Sequence, residues 1–158
     1  MVYNDNLAKR YNAEISSLIA SYFEYRKDKN HFPRELFDQF IESFDIFSLI
    51  VREEDSVLSE EFMTFIRLIS KEFAAFSTVL LTQACYGIYP INRYGSPKQK
   101  SLYLEKLIKG EILAGLGFSE GSLGENLELI TTTATKTSNG WRLSGKKSIV
   151  SNCRFTDI

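Results

Sequence analysis

For roughly its first 112 residues the chain sets apolar against polar positions with the period of a helix, and after that the period falls to two. Leu7, Tyr11, Ile15, Leu18, Ile19 and Tyr22 recur at spacings of three and four, which predicts a first helix from Asp5 to about Lys27, ended by the charged run Arg26–Asn30. His31-Phe32-Pro33 opens a second helix, with Pro33 suited to a first helical position, where its missing N–H is not needed, and with Leu36, Phe37, Phe40, Ile41 and Phe44 as its stripe. Arg52–Ser56 reads as a polar connection. Ser59 can then cap a third helix, with Glu60 and Glu61 beside the positive end of its dipole. The apolar positions Phe62, Phe65, Ile66, Ile69, Phe73, Phe76, Leu80 and Leu81 carry this helix to about Tyr86, as the longest and most buried element. Arg93-Tyr94-Gly95 breaks the pattern. Ser96-Pro97-Lys98-Gln99 is a capping box opening a last helix, which stops at Lys109-Gly110 with glycine at C′.

Beyond Gly110 the chain passes through a glycine-spaced stretch, Ala114–Asn126, into Thr-rich sequence. Glu128 to Lys136 suits a strand. Ser138-Asn139-Gly140 signals a hairpin, because Asn-Gly tolerates the positive φ of primed turns, and Trp141-Arg142-Leu143 is its return strand. Ser148–Ser151 predicts a third strand. The fold class is therefore α+β, an N-terminal all-α helical bundle followed by the first strands of a β-domain, divided as residues 1–112 and 113–158.

Composition narrows the function without naming it. Of 158 residues, 44% are apolar and 25% charged, the profile of a globular chain able to bury a core. The twelve Phe and eight Tyr imply either an aromatic-filled helical core or an aromatic surface for a partner. A net charge of −1 and the lack of a basic stripe argue against nucleic acid as a partner. The polar start, Met1 to Arg10, has no secretory h-region, and no run approaches the roughly 20 apolar residues of a membrane span, so the expected setting is cytoplasmic with no membrane partner. Cys85 and Cys153 match no metal spacing and read as free thiols. The only histidine is His31, which excludes a His cluster or a complete Ser/His/Asp triad in this chain. Glu53/Glu54 and Glu60/Glu61 read as solvated positions or dipole complements rather than acid/base pairs.

Two places could carry chemistry. Phe118-Ser119-Glu120, followed by Gly121, Ser122 and Gly124, offers hydroxyls, a carboxylate and accessible amides to an anionic or hydrogen-bonding ligand. It equally suits a plain helix-to-strand connection, and it matches neither the dinucleotide fingerprint nor the GxxxxGK[ST] phosphate loop. Ser148, Ser151 and Asn152 read either as strand and turn residues or as a second part of such a site.

Taken in order, these segments resemble the acyl-CoA dehydrogenase family. His31–Leu36 resembles a helix opening of that family, and Arg93–Lys100, Tyr103–Leu107 and Gly110-Glu111 resemble its "YGs.eQk..yLp.l..Ge" segment. Gly117–Gly124 stands where the family carries "alTEp.aGSD". Thr132–Thr135, Asn139–Lys147 and Ile149–Asn152 resemble "ttA…dG.y.lnG.K.wItN". The resemblance implies a helical domain and the opening of a middle β-barrel domain, in a flavoprotein that binds FAD and oxidises an acyl thioester to the 2-enoyl thioester. It implies flavin contacts at Phe118 and Ser119 near N1 and O2, at Ser151 near N5, at Ile149 in place of an aromatic on the flavin face, and at Gly124. It departs from the family at Gly121 (for Pro), Glu125 and Asn126 (for Ser-Asp), and in lacking the "P.eyGG" loop at 51–56. A carboxylate at Glu125 is repulsive towards a diphosphate unless it points away.

The catalytic base of the family is a glutamate of its C-terminal domain, so no residue here takes that role. The expectation is an FAD-dependent oxidoreductase seen as an N-terminal fragment, inactive alone and binding FAD weakly or not at all. Its partners would be an acyl-CoA or acyl-carrier-protein thioester, an electron-transfer flavoprotein or other electron acceptor, and a second copy or a missing C-terminal polypeptide. The alternatives are a non-catalytic split subunit or interaction module, or a diverged member acting on carrier-protein thioesters or as a flavin oxidase or hydroxylase.

Overall fold

The computed structural model describes residues 5–25, 32–52, 59–121 and 127–158. The charged break at 26–30, His31, most of the polar connection at 52–56, and Gly124, Glu125 and Asn126 lie outside them. Helix α1 (Asp5–Tyr25) packs along α4 (Glu60–Glu72), which is followed by α5 (Ala74–Thr82). Helices α2 (Arg34–Phe44) and α3 (Leu49–Arg52) close one side. A π-helical segment, Gln83–Ile88, then leads into α6 (Tyr89–Tyr94). The last helical unit is α7 (Pro97–Gln99), a second π segment (Lys100–Leu104) and α8 (Glu105–Ile108). Among the described residues no helix is long and apolar enough to cross a membrane.

Phe37, Phe40, Phe47, Phe62, Phe65 and Phe76 are fully buried. Of the two readings of the aromatic content, the aromatic-filled core is the one found. Tyr11 shows how the expected face of α1 is used: its ring lies 4.5 Å from Phe65 and its hydroxyl donates to Glu61 Oε1 at 2.8 Å. Glu61 is therefore a hydrogen-bond acceptor for α1 as well as a dipole complement to α4.

The capping expectations hold in detail. The Ser59 hydroxyl accepts from Phe62 N at 3.1 Å, and both halves of the Ser96/Gln99 box are present. Gly110 takes φ +68°, and a Cβ there would lie 2.3 Å from Ile41 Cδ1 and 2.7 Å from Phe37 Cε1.

Five expectations need correction. Pro33 stands at the N-cap of α2 rather than at its first helical position. The long third helix is divided at Phe73 (φ −147°, ψ 80°), where the ring packs 4.9 Å from Phe23 and 6.2 Å from Tyr22. This burial against α1 outweighs continuation of the helix. The first strand starts later than Glu128: a 3-10 turn occupies Leu127–Leu129, and β1 is Thr133–Thr137, paired antiparallel with β2 (Gly140–Ser144). In the hairpin Gly140 alone takes positive φ (142°), and Asn139 does not, so the turn at 138–139 is not the primed one. Finally, Ser148–Ser151 does not add a third strand to this sheet. Val150 instead makes a single antiparallel bridge to Gly117, and 151–155 turns.

Candidate functional site

The site is built where the helical bundle hands the chain to the β-region. Gln83, fully buried in the π-helical segment, fixes that point. Its Nε2 donates to the carbonyls of Leu107 and Ile112, both at 2.9 Å, and its Oε1 accepts from Ala114 N at 2.9 Å. Leu113 next receives backbone bonds from Asp157 (2.8 Å) and Ile158 (3.2 Å), while its own N–H donates to Asp157 Oδ2 at 2.8 Å. Gly115 has to be glycine here, because a Cβ would come within 2.6 Å of the Ser151 carbonyl oxygen.

Past Gly115 the chain runs antiparallel to 148–150. The Gly117–Val150 bridge is followed by two bonds to the Ser119 carbonyl, from Ser148 N at 2.8 Å and Ser148 Oγ at 3.1 Å. This register sets Phe118 opposite Ile149. Phe118 is 37% and Ile149 71% exposed, while Ser119 and Ser151 are half-buried. Among the described residues neither the Ser119 nor the Ser151 hydroxyl is taken up by an internal hydrogen bond, unlike that of Ser148. Four of the five predicted contact residues therefore meet on two adjoining runs, and Gly124 lies outside the described residues. The edge they form is amphipathic, with two apolar side chains beside two uncommitted hydroxyls.

Glu120 behaves differently from the expectation that its carboxylate is offered to a ligand. It is buried and consumed internally. Thr131 N (2.7 Å), Thr131 Oγ1 (2.6 Å), Thr132 N (3.1 Å), the Thr132 hydroxyl and Lys147 Nζ (2.7 Å) all donate to it. Lys147 Nζ also donates to the Phe118 carbonyl at 3.0 Å. The bond from Lys147, then those from the Thr131 and Thr132 hydroxyls and the Thr131 amide, hold the Glu120 carboxyl far below the ordinary carboxylate range, against the opposing effect of burial. Gln83, Thr131, Thr132 and Lys147 were not among the expected site residues, since each acts on the loop from a distance in sequence. The one signal for Lys147 is its place in the Gly145-Lys146-Lys147 part of the family resemblance.

A groove of about 400 Å³ opens beside the edge, between the bundle and the 150–155 turn. Phe73, Phe76, Val79, Val150 and Phe155 supply apolar walls. Asn152, in left-handed conformation at φ 59°, brings to it a buried Nδ2 without a hydrogen-bond partner among the described residues. Cys153 is exposed and Cys85 half-buried, both as free thiols, and burial pushes the Cys85 thiol up. Among the described residues no three His, Cys, Asp or Glu side chains gather as a metal site.

The molecule is thus a helical bundle that leads through this edge into the onset of a β-domain. The chain belongs to the acyl-CoA dehydrogenase family: its residues 5–111 match the family's N-terminal domain. It is 25% identical over 150 residues to the glutaryl-CoA dehydrogenase of Desulfococcus multivorans, covering 91% of this chain and 38% of that protein. It is 30% identical over 79 residues to an L-prolyl-[peptidyl-carrier protein] dehydrogenase of a Serratia species, covering 50% of this chain and 20% of the relative. The fold matches a glutaryl-coenzyme A dehydrogenase solved with glutaryl-CoA at a TM-score of 0.82, with 24% identity, over 99% of this chain and 42% of that one. It also matches a chain of the electron transferring flavoprotein structure from Acidaminococcus fermentans at a TM-score of 0.71, with 23% identity, over 92% of this chain and 41% of that one. The chain thus spans between about a fifth and two fifths of the length of the first relatives it matches.

Proposed function

We propose that the chain is the flavin-edge part of an FAD-dependent acyl-thioester dehydrogenase, with residues 1–112 as its helical domain and 113–158 as the start of its β-domain. When bound, FAD supplies the hydride acceptor for α,β-dehydrogenation of the acyl group. Ser119 and Ser151 would hold the ring through hydroxyl hydrogen bonds, donors of the kind that stabilise charge on a reduced ring. Phe118 and Ile149 would cover the ring and exclude water. Ile149 gives apolar contact without the stacking an aromatic would add. Gly124 is the remaining contact, and no residue of this chain acts as the base. Electrons would pass from such an enzyme to an electron-transfer flavoprotein or another acceptor, in a cytoplasmic setting and in a homo-oligomer.

One observation carries this reading: the Gly117–Val150 bridge, which sets Phe118 and Ser119 beside Ile149 and Ser151 although some 30 residues separate them. Titration of the chain with FAD, followed by flavin absorbance and fluorescence, tests it. Weak but saturable binding is expected, weakened by up to about tenfold by Ser119→Ala and by Ser151→Ala, as for loss of one hydrogen bond to the uncharged oxidised ring. Affinities unchanged in both variants, or the absence of saturable binding, would sink it. A thioester on a carrier protein is a second candidate substrate, favoured by the likeness to the prolyl-carrier-protein dehydrogenase. Competition between acyl-CoA and acyl-carrier protein for the assembled enzyme separates the two.

A further inference from the structure

We infer that Glu120 and Lys147 act together as a positioning clamp, which fixes the Phe118–Ser119 backbone against Ser148–Val150 and so sets the geometry of the ligand edge. As a statement about flavin, this rests on the function proposed above. As a statement about the loop, it stands on the hydrogen bonds alone.

Three strands of chain converge on one carboxylate. Glu120 lies directly after the edge residues, Thr131 and Thr132 lead into β1, and Lys147 follows β2. Lys147 is the only one of these donors that also reaches the edge itself, through the Phe118 carbonyl. Its ammonium is thereby shared between a carboxylate and a backbone oxygen, at 2.7 and 3.0 Å. The carbonyls of Phe118 and Ser119 are held in succession, the first by Lys147 and the second by Ser148. With both fixed, the Cα–Cβ bonds from which the Phe118 ring and the Ser119 hydroxyl project keep one direction. Charge alone is insufficient: an amide at 120 presents one acceptor oxygen where five donors converge, and a lysine there would present donors to donors.

The test combines hydrogen exchange on the full chain with FAD titration of the same samples. In Glu120→Gln the Ser148 amide, which does not touch Glu120, is expected to exchange about tenfold or more faster, while amides of Phe65 and Ile69 in α4 stay far more protected than Ser148. Lys147→Met should act in the same direction, and Lys147→Arg should restore protection of Ser148. The exchanged pair Glu120→Lys with Lys147→Glu should not restore it. FAD affinity should fall in the two clamp-breaking variants and recover in Lys147→Arg. An unchanged Ser148 rate in Glu120→Gln overturns the clamp whatever the flavin data say. A faster Ser148 amide with unchanged FAD affinity overturns its role in positioning the ligand. Failure of the unaltered chain to bind FAD counts against the proposed function, and the exchange data still decide the clamp.

Discussion

Glu120 and Gln83 are the two buried polar side chains on which the junction depends, and they work by different physics. Glu120 gathers charged and neutral donors, so its contribution depends on pH. Its folded pKa is lowered, and the folded state therefore binds fewer protons than the unfolded chain in the acid range. The stability it gives is complete above the unfolded carboxylate value, about 4.3, and is lost as the pH falls below that. The wild type is expected to lose more stability than Glu120→Gln between neutral pH and about pH 3, read as the difference in urea midpoints. Equal pH slopes would contradict this. Gln83 is neutral, and its effect is one of satisfied backbone groups. Gln83→Leu strands the Leu107 and Ile112 carbonyls and the Ala114 N–H, at an expected cost on the order of 3 kcal/mol in equilibrium unfolding. The sequence shows a carboxylate in a loop and a glutamine in a helix, and neither residue's role could be read there. Their partners lie 11–31 positions away and are brought in only by the fold.

At the scale of elements, legibility follows the range of the forces that make each boundary. Ser59, the Ser96 box and Gly110 are local devices, each completed within a few residues, and all three occur as read. Ser59→Ala should cost about 1 kcal/mol in denaturant unfolding, the usual worth of an N-cap hydroxyl. Gly110→Ala should cost more than that cap, because it adds a left-handed alanine to a close contact with Ile41 and Phe37. Thermal unfolding of both variants checks the order. The break at Phe73 had no such marker, since the run Phe62–Leu81 carries neither Gly nor Pro, and the interruption comes from aromatic packing against α1. The π segments are equally silent in sequence. Ser148–Ser151 reads as a strand by pattern, but its partner is the loop at Gly117 rather than β2.

Over the whole molecule the two regions differ in what holds them. The bundle buries a continuous aromatic core, whereas β1 and β2 are exposed along their full length and, among the described residues, pair only with each other. A two-stranded hairpin is marginal in water, so β1–β2 depends on its attachments at Thr131, Thr132 and Lys147 to Glu120. The chain is thus expected to open in two stages. Amides of Ala134 to Arg142 should exchange through a low-energy local opening, while those of Phe62, Phe65, Ile69 and Leu80 exchange near the global unfolding free energy. Glu120→Gln should lower the first, and the second by no more than the same amount. The same exposure brings Trp141 (66%) and Leu143 (74%) to the surface of a hairpin with two unpaired edges, an arrangement that favours association. Leu143→Lys should therefore reduce concentration-dependent association in sedimentation and leave the α4 exchange rates as they were. Association unchanged by Leu143→Lys would show that the self-contact lies elsewhere, and slower exchange in the hairpin than in α4 would refute the two-stage order.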